Sequence, residues 1–293
     1  MRPRRSKPCV DGLIATIIRS VEDLLTALIA LSPRADRRLN AVMRQTCAET
    51  LGLPALPYEE VFGPVSDAEP LVAEFAEQFS TDVSVISATQ RGQLTATLGA
   101  NSFRIVALMF IADFVPRVRA AFSALGLPPV VDPDGWDHLA DPVDLLLNRF
   151  ASSVGARREL DPVTTEVVRL RGAAAHNCRL CKSLREGTAL DAGGNESMYS
   201  EIDLYESSSL LDERQKAALR YVDALVWTPA RIPAEVAAGV RAHFSDAEAT
   251  EITLDVMRNG INKIAVALGG DAPRVAEGTE RYLLGADGQP VFS

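Results

Sequence analysis

Apolar residues recur every three or four positions along much of this chain, and that period commits it to helices. Phe103, Val106, Phe110, Phe114 and Val118 step in this way, as do Leu254, Met257, Ile261, Ile264 and Leu268. The alternation of a half-buried strand is missing: Val83-Ser-Val-Ile86 is short, and Pro128-Pro-Val-Val-Asp-Pro133 is broken by proline. The expected fold is therefore all-α, a helical bundle. Asp212 reads as the N-cap of a helix reaching Trp227, a further helix spans Ala234 to Phe244, and Ser245-Asp-Ala-Glu248 reads as a capping box. Pro116 predicts a kink or a boundary, and Asp113 and Arg117 are spaced to pair on the polar face of their helix.

Two proline-rich stretches, residues 52 to 70 and 126 to 142, read as loops. The second divides the chain into an N-terminal helical half, residues 1–135, and a C-terminal half, residues 136–293. Long helices in each half end in Ala-Leu-Gly, at Gly126 and Gly269, as a diverged duplication would leave them.

The formal net charge of -9 argues against nucleic acid as a main partner, since phosphate binding needs a basic surface. The basic start, Met1 to Pro8, reads as a solvated tail. The apolar run from Leu13 to Leu31 carries Arg19, Glu22 and Asp23 in its middle, so it reads as an amphipathic helix and not as a membrane span or export signal. No membrane partner is expected, and the compartment expected by default is a reducing cytoplasm. Four cysteines in 293 residues do not make a disulfide scaffold. Cys9 and Cys47 stand alone, and His138 and His243 have no motif around them. Cys178 and Cys181 form a Cys-x-x-Cys pair, for which metal binding, redox chemistry or simple core packing are the available roles. Zinc needs more ligands than the pair and His176 supply, so no metal and no cofactor are expected.

The segment around this pair carries the chemistry. Asp161-Pro162 opens a helix as N-cap and first residue, and Val163, Val167, Leu170 and Ala174 form its narrow apolar stripe, with Glu166 beside it. A straight helix would put Glu166 about 18 Å from Cys178, at about 1.5 Å per residue. The two cooperate only if the chain turns back, and His176-Asn177 is the natural turn, because asparagine tolerates the left-handed conformation. A second helix would then place Cys178, Cys181 and Arg185 on one face, with Arg185 stabilising a thiolate and meeting Glu166 across the helix pair. His176 itself reads first as a turn or surface residue, with a weaker role in binding substrate.

Glu166, eleven intervening residues, and Cys178-Arg-Leu-Cys181 resemble the motif of the AhpD-like alkylhydroperoxidases of the carboxymuconolactone decarboxylase superfamily. The likeness extends more loosely through Asp212-Glu-Arg-Gln-Lys-Ala-Ala and Asn259 to Gly269, and Phe110 to Arg119 looks like the N-terminal region of longer members. The resemblance implies an all-α homo-oligomer that reduces hydroperoxides with Cys178, Cys181 and Glu166, and a dithiol reductant such as a dihydrolipoyl or thioredoxin-like protein. It favours Cys181 as the attacking thiol, whereas helix-end electrostatics favour Cys178, so the order stays open. Arg185 stands where members with peroxidase chemistry carry a relay histidine, and Leu180 stands before the second cysteine, where histidine also occurs. Arginine cannot shuttle protons near neutral pH. A noncatalytic oligomeric helical protein, or an oxidant sensor using the same pair, is therefore the alternative. Lactone decarboxylation, which superfamily members perform without a cysteine pair, fits this chain less well.

Overall fold

The computed structural model describes residues 20–63 and 65–292. Cys9, the basic start and the first part of the Leu13–Leu31 run lie outside the described residues. The remainder of that run forms α1, Val21–Ala30, capped by Ser20 in a reciprocal box with Asp23. It is followed by α2 (Arg37–Leu51), α3 (Ala68–Thr81), α4 (Ala88–Leu98) and α5 (Ser102–Leu125). Val83–Val85, short of strand character in the sequence, is a 3-10 turn between α3 and α4.

From Ile105 to Val118 every residue of α5 is buried, so this helix has no solvent face in its middle and forms the axis of the bundle. α2 packs on one side of it, and helices from beyond residue 135 pack on the other. One apolar core thus joins Leu28, Met43 and Phe79 to Phe110, Met257 and Ile264. Pro116 neither ends nor splits α5, which runs on to a left-handed Gly126. Its missing N–H is tolerated because the helix is clamped by neighbours all round. Total burial also corrects the expectation for Asp113 and Arg117. They do pair, at 2.7 Å, but in the core and not on a polar face, and Lys263 joins them with Nζ 2.6 Å from the second Asp113 oxygen. Burial alone would raise the Asp113 carboxyl, but Arg117 and Lys263 outweigh it and hold the carboxyl below its ordinary range.

After the loop, which is tied to α1 by hydrogen bonds between Asp137 and the backbone at Ala30 and Ser32, a wide helical turn over Asp144–Phe150 leads into α6, Ala151–Gly155. Then come α7 (Pro162–Ala175), α8 (Arg179–Lys182), α9 (Gly187–Asp191), α10 (Glu196–Tyr199), α11 (Glu213–Trp227), α12 (Ala234–His243), α13 (Asp246–Gly260) and α14 (Lys263–Leu268). The expected caps at Asp161, Asp212 and Ser245 each accept a backbone N–H as drawn from the sequence. The helix expected to run from Leu254 through Leu268 is broken at Ile261–Asn262 into α13 and α14.

The molecule is mostly helical, as the periodicity required, with one small sheet among the described residues that the sequence did not announce. β1 (Leu184–Glu186) lies parallel to β2 (Glu280–Leu284), and β2 turns back onto β3 (Pro290–Phe292). Among the described residues no helix is long and apolar enough to cross a membrane.

Candidate functional site

α7 begins as its sequence dictates, with Asp161 accepting the Thr164 N–H at 2.9 Å and Pro162 as the first helical residue. It ends at His176, and Asn177 takes the left-handed conformation at φ 50°, so the chain reverses where the sequence placed the turn. The Cys178 N–H bonds back to the Ala173 carbonyl at 3.0 Å and closes the reversal.

Cys178 is then the N-cap of the single-turn α8. Its sulfur accepts the Cys181 N–H at 3.2 Å. The two Cα atoms are 5.3 Å apart and the sulfurs are joined as a disulfide. Both residues are nearly closed off from solvent, Cys178 at 1% and Cys181 at 6% exposure. Asp271 holds this turn from outside by accepting the N–H of Arg179 and, through its carbonyl, that of Leu180. The Arg179 guanidinium, bonded to Asp271, holds that carboxyl below its usual range.

Behind the pair sits the partner the sequence argument missed. Glu166, 1% exposed, is gripped by both arms of Arg169 at 2.6 and 2.7 Å, and it also accepts the Glu186 N–H. Arg169 in turn donates to the Cys181 carbonyl at 2.9 Å and the Leu184 carbonyl at 2.7 Å. A chain of charge-assisted hydrogen bonds thus runs from Glu166 through Arg169 to the backbone of the second cysteine. Burial works against the Arg169 charge, but Glu166 outweighs it and holds the guanidinium above its ordinary range. The signal was present: Arg169 stands three residues after Glu166, on the same face of α7.

Arg185 is not where the sequence argument put it. α8 ends at Lys182, and Ser183 starts the turn into β1, so Cys178, Cys181 and Arg185 share no helical face. Parallel pairing of Leu184–Glu186 with β2 draws this segment into a strand, and a pairing across almost a hundred residues leaves no local periodicity to read. Arg185 bonds Glu196 at 2.7 and 2.9 Å and lies over the Tyr199 ring, so the expected meeting with Glu166 is replaced by Glu166–Arg169.

His176 is at the turn but not at the surface. It is 7% exposed and sits edge-on to Phe114. Burial, reinforced by Lys263 and Arg117, lowers its pKa well below the usual 6.5, so it is neutral. Cys47 is fully buried on α2, and burial pushes its thiol up to about 12. Among the described residues no three side chains of the His, Cys, Asp and Glu types converge as a metal site.

No known protein-family profile matches the chain, and no solved structure matches it. Two curated relatives do: the uncharacterized protein Rv2313c of Mycobacterium tuberculosis strain H37Rv, and the uncharacterized protein MT2376 of M. tuberculosis strain CDC 1551. Each is 57% identical over 279 residues, covering 93% of this chain and 98% of the relative. At that identity over nearly the full length of both, the chain belongs to the same family as these two mycobacterial proteins.

Proposed function

We propose that this chain is a thiol–disulfide oxidoreductase of the AhpD-like alkylhydroperoxidase type, cycling Cys178 and Cys181 between dithiol and disulfide to reduce hydroperoxides. The observation that carries the reading is the geometry of α8. One sulfur occupies the N-cap, where a backbone N–H points at it, and the other lies within bonding distance after a single turn. A thiolate at that N-cap gains from the Cys181 N–H aimed at it, the N–H groups of Arg179 and Leu180 being taken by Asp271.

In the reaction, one thiolate attacks the terminal oxygen of the hydroperoxide and the O–O bond breaks. The sulfur becomes a sulfenic acid, and the alkoxide leaves and takes a proton to give the alcohol. The second thiol attacks the sulfenic sulfur, expels water and closes the disulfide. A dithiol protein of the dihydrolipoyl or thioredoxin-like class returns two electrons and two protons, which suits a reducing cytoplasm. In this reading the working form is a homo-oligomer. Glu166 and Arg169 serve as positioning residues, fixing the carbonyl of Cys181 and hence the α8 turn. Arg185, tied to Glu196, has no direct part.

A second reading is favoured by burial. With both cysteines at 6% exposure or less and, among the described residues, no side chain hydrogen-bonded to either sulfur to relay protons, a single oxidation without turnover describes a sensor. Peroxide consumption with dihydrolipoamide or thioredoxin, with a Cys178→Ser/Cys181→Ser double variant as control, separates the two. Repeated turnover that the double variant lacks supports the enzyme. One disulfide formed per chain with no further consumption supports the sensor. Two cysteines that stay free thiols through peroxide treatment refute both.

A further inference from the structure

Helices that pack on each other normally do so through apolar faces. α7 and α13 depart from this. Along α7 Glu166 and Arg169 face inward, and along α13 Glu251, Asp255, Arg258 and Asn259 follow one another at helical spacing. Glu166, Arg169, Glu251 and Asp255 are all less than 9% exposed. Between the two helices lies a cavity of about 60 Å³, closed by β2 on one side and by the 157–160 segment on the other. At about 10–15 Å³ per site this is room for four to six non-hydrogen atoms.

The carboxylates around this cavity are occupied, and two of its cations are as well: Arg169 is held by Glu166 and Arg157 is paired with Glu251, while Arg258 and the exposed Arg158 have no anionic partner among the described residues. Glu166 is held by Arg169 and the Glu186 N–H, Glu186 accepts the Ala189 N–H, and Glu251 accepts the N–H groups of Glu159 and Leu160. By contrast Arg258 bonds only the Ala151 carbonyl, and it forms no ion pair with any described residue. Arg157 is paired with Glu251 at 3.6 Å, but its buried Nε makes no hydrogen bond with any described residue. Asn259 Nδ2 also lines up as a buried donor without an acceptor. Arg258 is held in place by Gly155, where a Cβ would lie 2.9 Å from the arginine Nε and 2.5 Å from the Gly288 carbonyl. Leu160, Pro162, Leu284 and the Tyr282 ring give the cavity an apolar wall, beside Thr165, Thr188 and Arg158. Unsatisfied guanidinium and amide donors beside an apolar wall are the complement of a short-chain carboxylate.

We propose that the cavity between α7 and α13 binds a small organic monocarboxylate of the size of acetate to butyrate, its head on Arg157, Arg258 and Asn259 and its short carbon body against Leu160, Pro162 and Tyr282. The site lies behind Arg169, away from the sulfurs, and does not depend on the redox chemistry of the cysteine pair.

The test is titration of the full-length protein with acetate, propionate, butyrate and octanoate, followed by calorimetry or by amide chemical shifts in chloride-free, phosphate-free buffer. Saturable binding of the short acids, with octanoate weaker, is expected. Arg258→Gln should weaken it at least about tenfold, the loss of one charge-assisted contact. Arg157→Gln serves if Arg258→Gln does not fold. The Cys178→Ser/Cys181→Ser and Arg185→Gln variants should bind as the parent does, so failure of the redox reading leaves this result standing. Three results would overturn the proposal: no saturable binding of any acid, equal affinity after removal of Arg258 or Arg157, or equal affinity for inorganic phosphate.

Discussion

Asp255 offers a direct measure of how polar the α7–α13 interface is. Its side chain is in the core, 3% exposed, and its Oδ2 has no hydrogen-bond partner among the described residues. Burial raises its pKa from 3.8 to about 7, with Glu251 adding to the rise and Arg258, Arg158 and Arg157 opposing it. The native state therefore holds this proton when the unfolded chain has lost it. Stability from this group is fully present below pH 3.8, falls as pH rises, and is gone above about 7. At about 1.4 kcal/mol per pH unit, the whole interval is worth about 4 kcal/mol. Asp255→Asn keeps the shape and removes the titration. The stability difference between variant and parent, from urea unfolding at each pH, should move in the variant's favour by about 2 kcal/mol between pH 5 and pH 7, then level off. Taking the difference cancels groups that titrate alike in both proteins. A difference that stays flat over this range would show that Asp255 is ionised and solvated in the folded protein, and the account of a closed polar interface would be wrong.

Arg169→Met strands the Glu166 charge in the core and should cost about 3–5 kcal/mol in urea unfolding, and a loss under about 1 kcal/mol would mean the pair is solvated. Arg185→Ala removes a pair whose glutamate is largely exposed, so stability should change by less than about 1 kcal/mol and the alkylation rate of the reduced Cys178/Cys181 pair should stay within about twofold. A slowing of tenfold would restore Arg185 to the thiol site. Cys47 should resist alkylation in the native protein and react only on unfolding, which thiol counting with and without denaturant reads directly. Gly260→Ala would set a Cβ 2.7 Å from the Phe114 ring and should cost about 1–3 kcal/mol, read as a lowered urea midpoint.

What the sequence determined by itself is whatever depends on neighbours a few residues apart. The helical class follows from the period of the apolar residues, and the starts of α7, α11 and α13 follow from caps that bond within three residues. The reversal at Asn177 follows from a side chain that tolerates positive φ, and with it the return of the cysteine pair toward α7. Only the tertiary structure decided the rest. Whether α8 continued to Arg185 or stopped at Lys182 depended on β2, which lies almost a hundred residues away and supplies the hydrogen bonds that draw Leu184–Glu186 into a strand. That pairing took Arg185 to Glu196 and left Arg169 to bridge Glu166 and Cys181. Likewise Asp113 and Arg117 read as a surface pair because spacing says which side chains meet, not which way the face they share will point. Packing of α5 against helices on every side turned that face inward, and Lys263, 150 residues on, completed the charge balance there.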